Sequence, residues 1–325
     1  MSAQPRILLT GANGQLGTEL SAALAGRFGA RNVVTSDMVP VGRHLHIDHE
    51  MLDITDVGQL HDIVRRRGIT QIYHLAAALS ATAEIAPRRA WDLNMGGLLN
   101  VLEAARQFQL DKVFWPSSIA AFGPTTPADA TPQSTVMEPA TVYGISKLAG
   151  EGWCRWYFAN HGVDVRSLRY PGLISYKTQP GGGTTDYAID VFHSALRGER
   201  YGCFLCPDEA LPMLYMDDAV RATIELMEAP AAAISERGSY NLAGVSFTPA
   251  EIVAEIRKHL PGLDVDYRPD FRQAIAHGWP DSIDDTRARR DWSWAPRFDL
   301  SGIVADMLAN LSAMQAGAGQ RARTA

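Results

Sequence analysis

Short apolar runs recur along the first half of the chain: "RILLT" (6–10), "NVVTSD" (32–37), "QIYHLAA" (71–77), "KVFWPSS" (112–118) and "VRSLRY" (165–170). They are continuous rather than alternating, the pattern of strands buried on both faces of a parallel sheet. Between them lie stretches with helical spacing, "LGTELSAALAGRF" (16–28), "VGQLHDIVRRR" (57–67) and "AWDLNMGGLLNVLEAARQF" (90–108), where apolar positions return every three to four residues. Strand and helix in alternation predict an α/β fold, a doubly wound parallel sheet of the Rossmann type.

Beyond residue 171 the rhythm loosens and Gly and Pro cluster. "GGGTTDY" (181–187) runs straight into a helical pattern, "YAIDVFHSAL" (187–196), so it reads as a helix entry or a closing loop rather than a linker. Thr184 or Thr185 is a candidate cap for that helix. Further on come a helix over 248–260 with Thr248 as cap and Pro249 at its first position, a strand over 264–269, and a final helix over 301–314. The small polar tail, 315–325, reads as disordered. The division that follows is a dinucleotide-binding domain over 1–175 plus about 215–245, and a smaller C-terminal α/β substrate domain over about 176–214 plus 246–314.

Composition narrows the class. Of 325 residues 46% are hydrophobic, enough for a core, yet no apolar run reaches the roughly 18 residues of a membrane span. The start, "MSAQPRILLT", lacks the features of a secretory or transit leader. A net charge of −6 argues against a nucleic-acid partner. Cys203 and Cys206 have redox or zinc spacing, but no matching second ligand pair stands out, so they read as reduced thiols on a strand and no metal is expected.

"LLTGANGQLG" places Gly11, Gly14 and Gly17 after a strand and at the start of a helix. That context turns a weak motif into a dinucleotide fingerprint: a tight turn, a close approach to pyrophosphate, a close helix–sheet contact, and a helix N-terminus facing the anion. Asn13, Gln15 and Leu16 belong to the same turn. Asp37 ends the second strand, where a carboxylate accepts from the adenosine ribose hydroxyls and repels a 2′-phosphate; no arginine follows it, so NAD is favoured over NADP. Asp53 follows a third strand and fits either an adenine contact or a helix cap.

"VYGISKLAGE" sets Tyr143 and Lys147 on one face of a helix, and Ser118 ends a strand upstream. A phenol, an ammonium and a hydroxyl make a proton-transfer set for alcohol oxidation. To act near neutrality the phenol must fall from about 10 by about three units, or about 4 kcal/mol. One ammonium about 4 Å away supplies about that at an effective dielectric near 20, so Lys147 alone is expected to be nearly sufficient.

These residues, with "HLAA" (74–77) and "LNMGGLLNVLEAA" (93–105), resemble the extended short-chain dehydrogenase/reductase superfamily. The resemblance implies Ser118, Tyr143 and Lys147 as the catalytic set, and Asn94 supporting the lysine through a water. It implies Leu75, Ala76, Ala77, Tyr170 and Leu173 beside the nicotinamide. Ser117 neighbours Ser118, and alignment on "AAFG" favours Ser118. Many such enzymes act on nucleotide sugars as epimerases or dehydratases, the alternative reading here. "RYPGLISYKTQPGGGTTDYA" (169–188) and "WPDSIDDTRARRDWSW" (279–294) are instead similar to the metal-independent, threonine-oxidising branch. That similarity implies L-threonine as small-molecule substrate and 2-amino-3-oxobutanoate as product. It implies substrate contacts from Ser80, Gly183, Thr184, Thr185 and Trp279, with Thr185 favoured over Thr184, although Trp279 also fits an ordinary packed position. A cytoplasmic homodimer is expected, pairing through helices near 98–108 and 147–160.

Overall fold

The computed structural model describes residues 4–40, 46–178, 181 and 183–324; Gly182, inside the glycine run, lies outside the described residues. In chain order the strands are β1 (Ile7–Thr10), β2 (Val33–Asp37), β3 (Asp48–Met51), β4 (Gln71–His74), β5 (Lys112–Ser118), β6 (Val165–Tyr170), β7 (Gly172–Ile174), β8 (Tyr201–Cys203), β9 (Leu211–Tyr215), β10 (Tyr240–Asn241), β11 (Val245–Phe247) and β12 (Val265–Tyr267). The helices are α1 (Gln15–Phe28), α2 (Val57–Arg67), α3 (Ser80–Ile85), α4 (Pro87–Trp91), α5 (Gly97–Phe108), α6 (Val142–His161), α7 (Tyr187–Arg197), α8 (Met216–Glu228), α9 (Pro249–Arg257), α10 (Phe271–Ala276), α11 (Thr286–Trp292) and α12 (Leu300–Thr324).

The central sheet has seven strands in the order β10-β6-β5-β4-β1-β2-β3, all parallel. Both of its faces are covered, which explains the continuous apolar runs. Ile7 and Leu9 pack on one side with Leu20 and Leu24 of α1 and Ala222 and Leu226 of α8. Leu8 between them packs on the other with Leu60 of α2 and Leu98 and Leu102 of α5, as the two-residue period of a strand requires. A third core joins Ile174, Phe192, Tyr215, Ile252 and Met307, around the small sheets β7-β9-β11 and β8-β12. β1 sits between β4 and β2, so the strand order reverses there and opens a crevice at the carboxyl ends.

Three expected elements differ. The helix over 90–108 is broken into α4, a π-helical turn at Asp92–Gly96, and α5. Paired glycines weaken the helix there, and the Asn94 amide is drawn across to Ala78. β4 stops at His74, so Leu75 to Ala77 line a pocket instead of continuing the strand. The last helix, expected over 301–314, is continuous to Thr324; the added stretch carries Gln, Arg and Ala, good helix formers.

Candidate active site

A cavity of about 420 Å³ opens at the carboxyl ends of β1, β2, β4, β5 and β6. It is walled by the fingerprint turn on one side, by residues 183–186 on the other, and by Trp279. Nineteen expected site residues line it: Gly11, Gly14, Gln15, Leu16, Gly17, Asp37, Leu75, Ala76, Ala77, Ser80, Ser118, Tyr143, Lys147, Tyr170, Leu173, Gly183, Thr184, Thr185 and Trp279.

Two of the fingerprint glycines, Gly11 and Gly17, leave no room for a side chain. Gly11 has φ +70°, and a Cβ there would lie 2.6 Å from the Ala76 nitrogen. A Cβ on Gly17 would lie 2.3 Å from the Gly11 oxygen. Gly14 opens α1 with no side-chain cap and no acidic residue in the first turn, so the helix N-terminus keeps its positive character for a ligand. Among the described residues the buried Gln15 Nε2 has no partner. The Asp37 carboxylate accepts from the Asn13 N–H at 3.0 Å and the Met38 N–H at 2.8 Å, which fixes it at the rim. This cradle, orphaned amide and terminal carboxylate fit a dinucleotide without a 2′-phosphate.

Three expected residues do not line the cavity. Asn13 shapes it, donating from Nδ2 to the Val39 and Pro40 carbonyls, each at 3.3 Å. Asp53 accepts from the Thr55 N–H at 2.9 Å and hydroxyl at 2.7 Å, bonds that hold its carboxyl below the usual range. It stands between Leu52 and Ile54, which do line the cavity. The helix cap is Asp56, accepting from the Gln59 N–H at 3.0 Å. Asn94 is buried and bonds Ala78 and the Ser146 hydroxyl at 3.3 Å, so it ties the pocket floor to the helix that carries Lys147.

Ser117 and Ser118 separate cleanly. Ser117 donates to Glu151 Oε1 at 2.7 Å, a carboxylate also gripped by Arg169 through two 2.8 Å bonds. Ser118 accepts from the Ala120 N–H at 3.1 Å, and its bond to the phenol draws the Tyr143 pKa down. Burial outweighs that bond and pushes Tyr143 up to about 12. Burial also brings Lys147 down to about 7. Its Nζ donates to the Pro116 carbonyl at 2.6 Å and lies 5.3 Å from the Tyr143 ring centroid. In the cofactor-free fold burial sets the level of the phenol, and the Lys147 ammonium, itself desolvated and turned to the Pro116 carbonyl, does not bring it to neutrality. His74 is buried, bonded to the Thr10 hydroxyl at 2.8 Å, and held neutral by burial with a pKa of about 3.

On the opposite wall neither threonine caps α7. Asp186 occupies the cap position without a side-chain cap bond, and its carboxylate turns back to the Gly183 N–H at 2.6 Å. The Thr184 hydroxyl is buried without a partner among the described residues. Thr185 packs its methyl over Gly172, whose added Cβ would lie 2.7 Å from it. Asp186 was missed in the sequence, although an acidic residue directly before an apolar helical pattern is a signal for that position. Pro116 carried no signal.

A Rossmann sheet, a glycine cradle and a Ser/Tyr/Lys set on one cavity define a dinucleotide-dependent oxidoreductase. Residues 7–243 match the NAD dependent epimerase/dehydratase family, and the chain belongs to that family. Its cofactor is NAD. The GalE-like L-threonine dehydrogenase from Cupriavidus necator, in its holo form, is 70% identical with TM-score 0.93, covering 94% of this chain and 100% of that one. Its apo form superposes less well, with TM-score 0.83 and 63% identity over 94% of this chain and 99% of that one. A monomeric L-threonine 3-dehydrogenase from a metagenome is 45% identical with TM-score 0.92, covering 95% of this chain and 99% of that one. The mitochondrial L-threonine 3-dehydrogenase of Bos taurus is 46% identical over 308 residues, 94% of this chain and 82% of the bovine protein.

Proposed function

We propose that this chain oxidises the side-chain hydroxyl of L-threonine with NAD, giving 2-amino-3-oxobutanoate. One observation carries the choice of substrate. Among the described residues that line the cavity, Lys147 is the one cation, and it belongs to the reacting centre. A nucleotide sugar brings a diphosphate, which calls for arginine or lysine on the substrate wall. The wall instead offers Ser80, Thr184, Thr185, Trp279 and the carboxylate of Asp186. Asp186 suits an ammonium; the orphaned Thr184 hydroxyl and the N–H groups at the start of α7 suit a small carboxylate. The named activity of the relatives, similar over more than nine-tenths of this chain, supports the same reading.

In this reading Ser118 donates to the substrate oxygen and orients it, and Tyr143 as phenolate takes the hydroxyl proton. Lys147 holds the nicotinamide ribose and adds positive charge near the phenol. Bound NAD would supply the acceptor for the hydride on the carbon bearing the hydroxyl, and its positive charge would favour the phenolate of Tyr143. Gly11, Gly14, Gln15, Leu16 and Gly17 hold its pyrophosphate, and Asp37 its adenosine ribose. Asp53 borders the adenine. Leu75, Ala76, Ala77, Tyr170 and Leu173 wall the nicotinamide. Trp279 closes over the substrate.

The reading includes a homodimer. Ile145, Trp153 and Trp156 of α6 are exposed apolar side chains, with Trp153, Trp156 and Tyr157 in edge-to-face and tilted contact, on a helix that packs against α5. A cytoplasmic setting accords with the three unpaired cysteines, as thiols stay reduced there. Among the described residues no helix is long and apolar enough to cross a membrane.

The test is NADH formation by the purified protein with NAD and L-threonine, run beside NADP, D-threonine and L-serine. Turnover with L-threonine and NAD is expected, with serine slower by about 10–200-fold for its missing methyl. A flat trace from folded protein, with NAD retained and a nucleotide sugar converted, overturns it.

A further inference from the structure

Three segments wall the cavity at different heights in the chain: the start of α1, the residues around β7, and residues 183–186. The last two are joined by a stem beginning at Ser175, immediately after β7. Ser175 and Glu19 are both buried. The Ser175 hydroxyl donates to Glu19 Oε1, and Lys177 Nζ donates to Glu19 Oε2 at 2.8 Å. Lys177 also donates from its backbone N–H to the Ser175 oxygen at 3.2 Å. Glu19 lies on α1 one half-turn past Gly17, so its carboxylate reaches from the dinucleotide-binding helix to the stem of the opposite wall.

We propose that Glu19, Ser175 and Lys177 form a positioning latch that sets the substrate wall against the cofactor helix. The inference rests on the proposed reading of 183–186 as the substrate wall. None of the three residues lines the cavity, so they act through the loop and not on the substrate. The pair is lopsided: the Glu19 side chain is 4% exposed and that of Lys177 is 44%. A carboxylate in that position is desolvated and needs its partners, whereas a half-exposed lysine has water available. Nearby Asp217 and Tyr176 also face Lys177, which makes it the cation that balances this junction. Removing Lys177 therefore loosens the latch while leaving α1 and its glycines in place. Removing the Glu19 charge frees both stem residues at once.

Lys177→Met, Glu19→Gln and Ser175→Ala are compared with the parent protein by three readings. These are KM for L-threonine, NAD affinity by calorimetry, and amide hydrogen exchange over 183–188. The latch predicts KM raised about fivefold, as the loss of one such pair would give. NAD affinity stays within about twofold and exchange over 183–188 is faster, with Lys177→Arg restoring parent values. Unchanged KM and exchange in Lys177→Met overturn it. So does an equal loss of NAD affinity and threonine affinity, which would be general destabilisation. Should Glu19→Gln fail to fold, the half-exposed Lys177 variants still decide. If the parent protein turns over no threonine, the substrate reading fails, and exchange over 183–188 alone judges the latch.

Discussion

The wall of the cavity that begins at β1 is made of backbone. Gly11 and Gly17 are required there because a Cβ would strike the Ala76 nitrogen or the Gly11 oxygen, and the ligand meets N–H groups and a helix end. The wall formed by residues 183–186 is made of side chains: an unpartnered Thr184 hydroxyl, the Asp186 carboxylate, and Trp279 brought in from far along the chain. The first wall recognises a shape shared by every dinucleotide. In the proposed reading the second meets the small substrate, and there the Thr184 hydroxyl has no partner among the described residues.

If the two walls divide labour in this way, variants should sort by which affinity they change. The largest effect belongs to the reacting centre between them. Tyr143→Phe should cut kcat by about 10²–10⁴-fold, the range for loss of a general base, with NAD affinity nearly intact; loss of both together would make Tyr143 a structural residue. On the backbone wall, Gly11→Ala forces a side chain into φ +70° and onto Ala76. It should weaken NAD binding strongly and destabilise the fold by about 1–3 kcal/mol, read by calorimetry and urea unfolding.

On the side-chain wall, Thr184→Val removes a buried hydroxyl with no partner and keeps the shape. KM for threonine should rise about tenfold, while the cofactor-free protein becomes more stable by about 1 kcal/mol. A variant with lower stability and unchanged KM would mean that the hydroxyl is already satisfied. The smallest effect concerns pH. In the cofactor-free fold Lys147 is lowered to about 7 by burial, whereas an unfolded lysine keeps its proton to about 10.4. Between those values the unfolded chain binds more protons, so stability should rise with pH. Urea midpoints at pH 7 and pH 9 should show a rise that Lys147→Met abolishes.

The same contrast explains what was legible in the sequence. Glycines demanded by the backbone stand in fixed spacing beside a strand and a helix, so that wall, the parallel sheet and the Tyr143/Lys147 pair could all be read directly. The other wall is assembled by tertiary folding. Nothing in "GGGTTDY" says that Thr185 sets its methyl against Gly172 while the Thr184 hydroxyl is buried, both residues lining the cavity. Nor could spacing reveal that the Lys147 ammonium is directed at the Pro116 carbonyl and desolvated. That desolvation makes the sequence arithmetic for the tyrosine too generous. Ser117 and Ser118 were indistinguishable as letters and differ because alternate residues of β5 face opposite ways, one toward Glu151 and one toward Tyr143.

The most direct measurement is turnover of L-threonine carrying deuterium on the side-chain carbon that bears the hydroxyl. The account predicts NADH that contains the deuterium, in equal amount to the oxidised amino acid. NADH formed without the label would show that the hydride leaves another carbon and would contradict the assignment of the substrate wall and of Tyr143 together.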